Sequence, residues 1–168
     1  MGELREAPAL GWAGLPMGGG EGALEGAVRL LGGSRVLKRQ VRSPLEAHVL
    51  LTEGLPNAAL LHLVDSLGAL GGGSAIEKAV GISTRTIQRK KIAPTESLDP
   101  VQSGRTWKFA EILARASHIF GSQDEAEDWM NRPAIGLDGE RPLDLLSTPA
   151  GQEMVESYLT QIEYGVYV

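Results

Sequence analysis

Apolar residues along this chain recur at three- and four-residue spacing and seldom alternate, so the pattern predicts helices. From Leu55 onward, Leu60, Leu63, Val64 and Leu67 line one face, with Pro56 suited to a first turn and Gly68 to an end. A longer helix is predicted from about Gln102 to Phe120, with Phe109, Ile112, Leu113, Ala116, Ile119 and Phe120 as its apolar stripe and Gly121 as its C-cap. Ser122 and Glu125 form a capping-box pattern at the head of the next helix, which carries Ala126, Trp129 and Met130 and stops before Pro133. Pro142 to Leu146 reads as a helical turn. Thr148 and Pro149 open a last helix with Val155, Leu159 and Ile162 on its face and Gly165 at its end. Strand signals are few, and the expected class is all-α.

The middle of the chain is more articulated. "GALGGG" reads as a loop. Ser74 and Glu77 then have capping-box spacing, and a short helix is predicted from Ala75 to Val80, stopped by Gly81. Ser83 is a second N-cap with Ile82 and Ile87 at the hydrophobic-staple positions, heading a helix from Thr84 to about Lys91. Two short helices joined at "GIS" are the core of a helix-turn-helix. Ile76, Val80, Ile82 and Ile87 are expected to face inward, leaving Thr84, Arg85, Gln88 and Arg89 outward. Arg and Gln side chains can read guanine and adenine edges bidentately, while Ser83, Thr84, Thr86, Lys90 and Lys91 suit phosphates. The plainer alternative is a basic, solvated helix face. One departure weakens the motif: four residues before the turn glycine, where helices touch and a small residue is usual, stands Glu77.

The first twenty-six residues are rich in Gly, Pro and Ala and read as a flexible arm. Ala27 to Glu46 holds Arg29, Arg35, Lys38, Arg39 and Arg42 with no acid before Glu46, and a short strand or helix is expected around Arg35 to Val41. Val49 to Leu70 is the most apolar stretch. Glu53, Pro56, His62 and Asp65 interrupt it, so it reads as core helix and not as a membrane span. The N-terminus has Glu3 and Glu6 where a secretory signal would be basic, and a cytoplasmic location is expected.

Charge sharpens this picture. The 168 residues carry 16 bases and 21 acids, yet four of those bases fall between Ala79 and Lys91. Residues 1 to 115 hold fourteen bases and eleven acids; residues 116 to 168 hold two and ten. Such asymmetry points to two surfaces with different partners. There are no cysteines, which removes disulfides, thiolate metal sites and a Cys nucleophile. Gly68 to Gly73 has the glycine spacing of a phosphate loop, but Ser74 stands where Lys is required. His48, His62 and His118 are scattered, so no metal site is expected. Asp124, Glu125, Glu127 and Asp128 fit the acidic first turn of a helix better than a catalytic pair. Neither an enzyme nor a cofactor is implied.

The chain ends "QIEYGVYV". Termini are normally polar, and apolar residues there either fold back on their own core or enter a partner's groove. Together with "VGISTRTIQRKK" and the block "DWMNRPAIGLDGERPLDLLSTPAG", this ending resembles the Xre/MbcA/ParS antitoxins of bacterial type II toxin–antitoxin systems, over roughly residues 50 to 168. The resemblance implies a helix-turn-helix domain at residues 48–108 that binds the operator of its own operon. It implies a toxin-binding domain at residues 109–168 that blocks a RES-domain, NAD-consuming toxin. Residues 1–47 remain an arm. Trp129, Asn131, Pro133, Leu137, Pro142, Leu143 and Leu146 stand at the family's characteristic positions, mostly as scaffold. Toxin contacts are expected from Asn131, Leu143, Glu163, Tyr164, Gly165, Val166, Tyr167 and Val168. DNA contacts are expected from Ser83, Thr84, Arg85, Thr86, Gln88, Arg89, Lys90 and Lys91. A palindromic operator would call for a homodimer or a higher toxin–antitoxin assembly. The alternative is a stand-alone helix-turn-helix regulator whose C-terminal helices dimerise or bind a ligand.

Overall fold

The computed structural model describes residues 20–165, and it is all-α: ten α-helices and two 3-10 turns, with no β-strand among the described residues. The helices are α1 (Gly20–Leu30), α2 (Gly33–Leu37), α3 (Pro44–Glu53), α4 (Asn57–Ser66), α5 (Ser74–Val80), α6 (Thr84–Lys90), α7 (Pro100–Phe120), α8 (Gln123–Met130), α9 (Pro142–Leu145) and α10 (Pro149–Glu163). None of them is long and apolar enough to cross a membrane.

The central element is α7, which packs against α1, α3, α5, α8 and α10. Asp99 starts it by accepting the Gln102 N–H at 2.7 Å, and Gly121 ends it by donating to the Ser117 carbonyl at 2.9 Å. Phe109, Ile112, Leu113 and Ala116 are buried as the stripe requires, while Ile119 and Phe120 sit at the edge of the core. Leu, Ile, Val and Ala from nearly every helix form one hydrophobic cluster around α7. Residues 108 and 109, between which the sequence divides the domains, lie in mid-helix.

The chain order turns earlier into helix than the sequence reading. α1 begins at Gly20, inside the stretch that composition marks as an arm, and lies along α7 with Ala27 and, just past its end, Leu31 fully buried. Leu24, Ala27, Val28 and Leu31 make an apolar stripe that the surrounding glycines disguise. Residues 1–19 lie outside the described residues. Of the segment expected from Arg35 to Val41, only Arg35 to Leu37 is helical, as the end of α2; Lys38 caps it in the left-handed conformation, at φ 56°. The apolar stretch around Val49 is two helices, separated by Gly54 and Pro56. The linker between them pairs with the chain before α7: Leu98 donates to the Leu55 carbonyl at 2.7 Å, and Asn57 donates to that of Glu96 at 2.7 Å.

One expected cap does not form. Ser74 is the first residue of α5, not its N-cap, and its side chain caps nothing. The 3-10 turn Ala69–Gly71 leads almost directly into α5, so Ala75 and Glu77 donate to the carbonyls of Gly72 and Gly73 at 3.1 and 3.2 Å. Backbone carbonyls have taken the place of the Ser74 hydroxyl. The caps at Ser83, Ser122 and Thr148 do form: each side-chain oxygen accepts the N–H three residues on, at 3.2, 3.2 and 3.1 Å.

Candidate functional site

The helix-turn-helix is built as its residues dictate. α5 ends at Gly81, whose φ of 75° is left-handed and whose N–H reaches the Glu77 carbonyl at 2.9 Å. The left-handed φ is what calls for glycine there; the end of the flexible Arg105 side chain lies beside the same Cα. Ile76, Val80, Ile82 and Ile87 are all buried, as the staple and stripe predict. Glu77 faces solvent; Ile76, Ala79 and Val80 make the buried side of α5. The carboxylate at the usually small position therefore costs the packing nothing.

The outer side of α6 presents Thr84, Arg85, Gln88 and Arg89 to solvent, followed by Lys91. Arg85, Gln88 and Arg89 share a face by their three- and four-residue spacing. Three of the expected DNA contacts are partly engaged within the protein. The Ser83 hydroxyl donates to Thr86 Oγ1 at 3.0 Å while capping α6. Lys90 Nζ is half-buried and donates to Asn57 Oδ1 at 3.3 Å. Asn57 is itself buried and donates to the Ala93 carbonyl at 2.8 Å, so it fastens the end of α6 to the start of α4.

The C-terminal helices form the second site. α10 is held at its last turns by Arg115 of α7. Its guanidinium donates to the Glu163 carboxylate at 2.8 Å, to Thr160 Oγ1 at 2.8 Å and to the Glu156 carbonyl at 3.3 Å. Both charged side chains are less than one-fifth exposed. Glu163 thus faces inward to Arg115. Beyond it, Tyr164 is exposed and Gly165 turns left-handed at φ 66°. Val166, Tyr167 and Val168 lie outside the described residues.

Of the other expected toxin contacts, Asn131 is exposed at the C-terminus of α8, and its Oδ1 accepts from Arg141 at 3.3 Å. Leu143 is a correction. It is 2% exposed in the core, where the short helix α9 packs between α5, α8 and α10, so it offers no surface to a partner. Pro142, Leu137 and Leu146 are buried with it. Trp129 is half-buried, with its ring 5.0 Å from that of Phe120 and 6.2 Å from that of Tyr158.

The two sites are joined. Lys78 of α5 pairs with Asp144 of α9 at 3.1 Å. Asp144 also accepts from Arg141 at 2.7 Å; that bond holds its carboxyl below the ordinary range, against a partial burial that works the other way, with Lys78 adding to the lowering. The sequence pattern puts Glu127 of α8 with the acids of a helix first turn. Instead it is fully buried and accepts the N–H groups of Gly68 and Leu70 at 2.9 and 3.0 Å, and Gln123 Nε2 at 2.8 Å. Sequence reasoning missed Arg115 and Glu127, because their partners lie far away in the chain. No group of three or more metal-ligating carboxylates and histidines gathers among the described residues.

Comparison with known proteins bears on the C-terminal part most directly. Residues 115–165 match the family described as the antitoxin Xre/MbcA/ParS C-terminal toxin-binding domain. The chain is 29% identical to Antitoxin Xre of Pseudomonas putida over 126 residues, 75% of this chain and 76% of that protein. It is 28% identical to Antitoxin Xre of Photorhabdus laumondii over 120 residues, 71% of this chain and 79% of that one. A third similar protein is the Prs ADP-ribosylating antitoxin of a Sphingobium species, 28% identical over 98 residues, 53% of this chain and 61% of that one.

Proposed function

We propose that this chain, whose residues 115–165 match the Xre/MbcA/ParS C-terminal toxin-binding domain of antitoxins, is itself an antitoxin of a toxin–antitoxin system, that it neutralises a RES-domain, NAD-consuming toxin in the cytoplasm, and that it represses its own operon. The similarity to an antitoxin whose name includes ADP-ribosylation supports the toxin class, since ADP-ribosyl transfer draws on NAD. Residues 109–168 bind the toxin, and the segment from Tyr164 onward blocks its NAD pocket. The observation that carries this is the Arg115–Glu163 clamp. It fixes the last turn of α10, immediately before the exposed Tyr164.

Residues 48–108 bind the operator through α6. Arg85, Gln88 and Arg89 read bases, and Thr84 and Lys91 contact phosphates. The exposed basic stripe of α6 in an otherwise acidic protein supports this assignment. Two copies of α6, in a homodimer or a toxin–antitoxin assembly, read a palindromic site.

Co-expression with the adjacent reading frame tests the proposal. The neighbour alone should arrest growth and deplete cellular NAD; with this chain present, growth and NAD should recover and the two should co-purify. A harmless neighbour, or arrest without loss of NAD, removes the toxin assignment. A chain ending at Glu163 should still fold and neutralise poorly; full neutralisation removes the role of the tail.

A further inference from the structure

The most exposed large apolar side chain among the described residues is Ile135, at 96%, and it lies within the toxin-binding match. A single exposed apolar residue is ordinary. This one is displayed by an ordered turn. The 3-10 turn Ile135–Leu137 and its neighbours are closed by five backbone bonds: Leu137 and Gly139 both donate to the Ala134 carbonyl, Ala134 to that of Glu140, and Glu140 to that of Leu137, each at 3.0 Å, and Asp138 to that of Ile135 at 3.2 Å. Ala134 and Leu137, on either side of the Ile135–Gly136 pair, are buried. Asp138 takes a left-handed φ of 54° to complete the turn, a conformation that non-glycine residues adopt at a cost. Gly136 sits flat on α10: a Cβ there would overlap the Tyr158 ring. Packing and backbone bonding therefore hold the turn on Tyr158 and leave Ile135 pointing at water.

The surroundings make this a patch. Met154 is exposed one helical turn before Tyr158, Tyr158 is half-buried, and Pro133 is exposed beside the turn. The exposed charges nearest in sequence are mostly acidic, Asp138 and Glu140 in the same turn and Glu153 next to Met154, with Arg132 the basic exception. A rigid, solvated aliphatic anchor with a charged rim matches the anatomy of an interface hot spot, and rigidity lowers the entropy lost on docking.

We propose that Ile135, flanked by Met154 and Tyr158, is a second docking point for the toxin, separate from the C-terminal tail, and that it enters an apolar socket with a basic rim on the toxin surface. The proposal rests on the toxin-binding reading of residues 115–165. It assigns the anchor to a turn held by the fold, so it survives removal of the tail.

The test is titration of the full chain, and of Ile135→Asp and Ile92→Asp variants, against the purified product of the adjacent reading frame. Ile92 is 86% exposed but outside the matched domain. Ile135→Asp should melt like the wild type, since the side chain is already in water, and bind the toxin at least about tenfold more weakly. Ile92→Asp should bind as the wild type. Association should also slow as salt rises, because the rim is charged. Wild-type affinity in Ile135→Asp overturns the proposal, as does an equal loss in both variants. If Ile135→Asp keeps its toxin affinity but turns a dimer into a monomer by light scattering, the patch joins two copies of this chain and the proposal falls. No complex with the wild-type chain would overturn the toxin-binding reading itself, and this site with it.

Discussion

The carboxylate of Glu127 accepts the backbone N–H of Leu70 at 3.0 Å, across 57 residues of sequence, from a position with no solvent exposure. With Gly68 and Gln123 as further donors, this acid satisfies two backbone N–H groups of the glycine-rich turn, and it ties α8 to the entry of the helix-turn-helix. Glu127→Ala would leave buried amides without an acceptor, and the expected cost is about 2–4 kcal/mol in urea unfolding. Glu127→Gln keeps one oxygen and should lose less. Stability within error of the wild type in the alanine variant would mean that water replaces the carboxylate.

The Arg115–Glu163 pair should be coupled by roughly 1 kcal/mol in a double-mutant cycle of Arg115→Met and Glu163→Gln, because both ends are largely buried and share a hydrogen-bond network. Both single variants should neutralise toxin less well than their stability loss explains, since the tail leaves from this turn. Additive stabilities would show that the pair is not a clamp.

Acidification tests the Asp144 ion pairs. Its folded value lies below the ordinary 3.8, chiefly through Arg141. A lowered folded value stabilises the protein above the unfolded value, and this stabilisation is lost as pH falls through the folded one. The wild type should therefore exceed Asp144→Asn in urea stability at about pH 6, with the gap closing below about pH 4. A gap that is constant with pH would place the effect in packing alone.

Leu143→Ala should cost about 2–4 kcal/mol, the price of a cavity in a packed core. Asn131→Ala, on the exposed side of the same region, should stay within about 0.5 kcal/mol. The two are separated by urea titration. An unfolding midpoint unchanged by Leu143→Ala would return that residue to the surface.

Arg85→Ala with Arg89→Ala should abolish specific operator binding and make the salt dependence of any residual binding shallower by up to roughly two in the log–log slope. Both side chains are exposed, so the thermal melt should not move. An unaltered gel shift would mean that α6 does not face DNA.

The amino-acid sequence by itself determined the helices that start and stop on local chemistry. The caps at Ser83, Ser122 and Thr148 are bonds between groups three residues apart, and the turn at Gly81 needs only its own backbone, so each is written in a short window. The inward isoleucines and outward arginines of the helix-turn-helix follow from the same short-range periodicity. Tertiary structure decided the rest. Ser74 lost its capping role to backbone carbonyls that the preceding turn brought to the head of α5. Leu143 went into the core because α9 is enclosed by helices from both halves of the chain. Arg115 found Glu163 across 48 residues, and Glu127 found Leu70 across 57. A carboxylate or a leucine carries no local sign of which distant surface will cover it. Packing around α7 supplied that surface, and with it the difference between a residue that holds the fold and one left free to meet a partner.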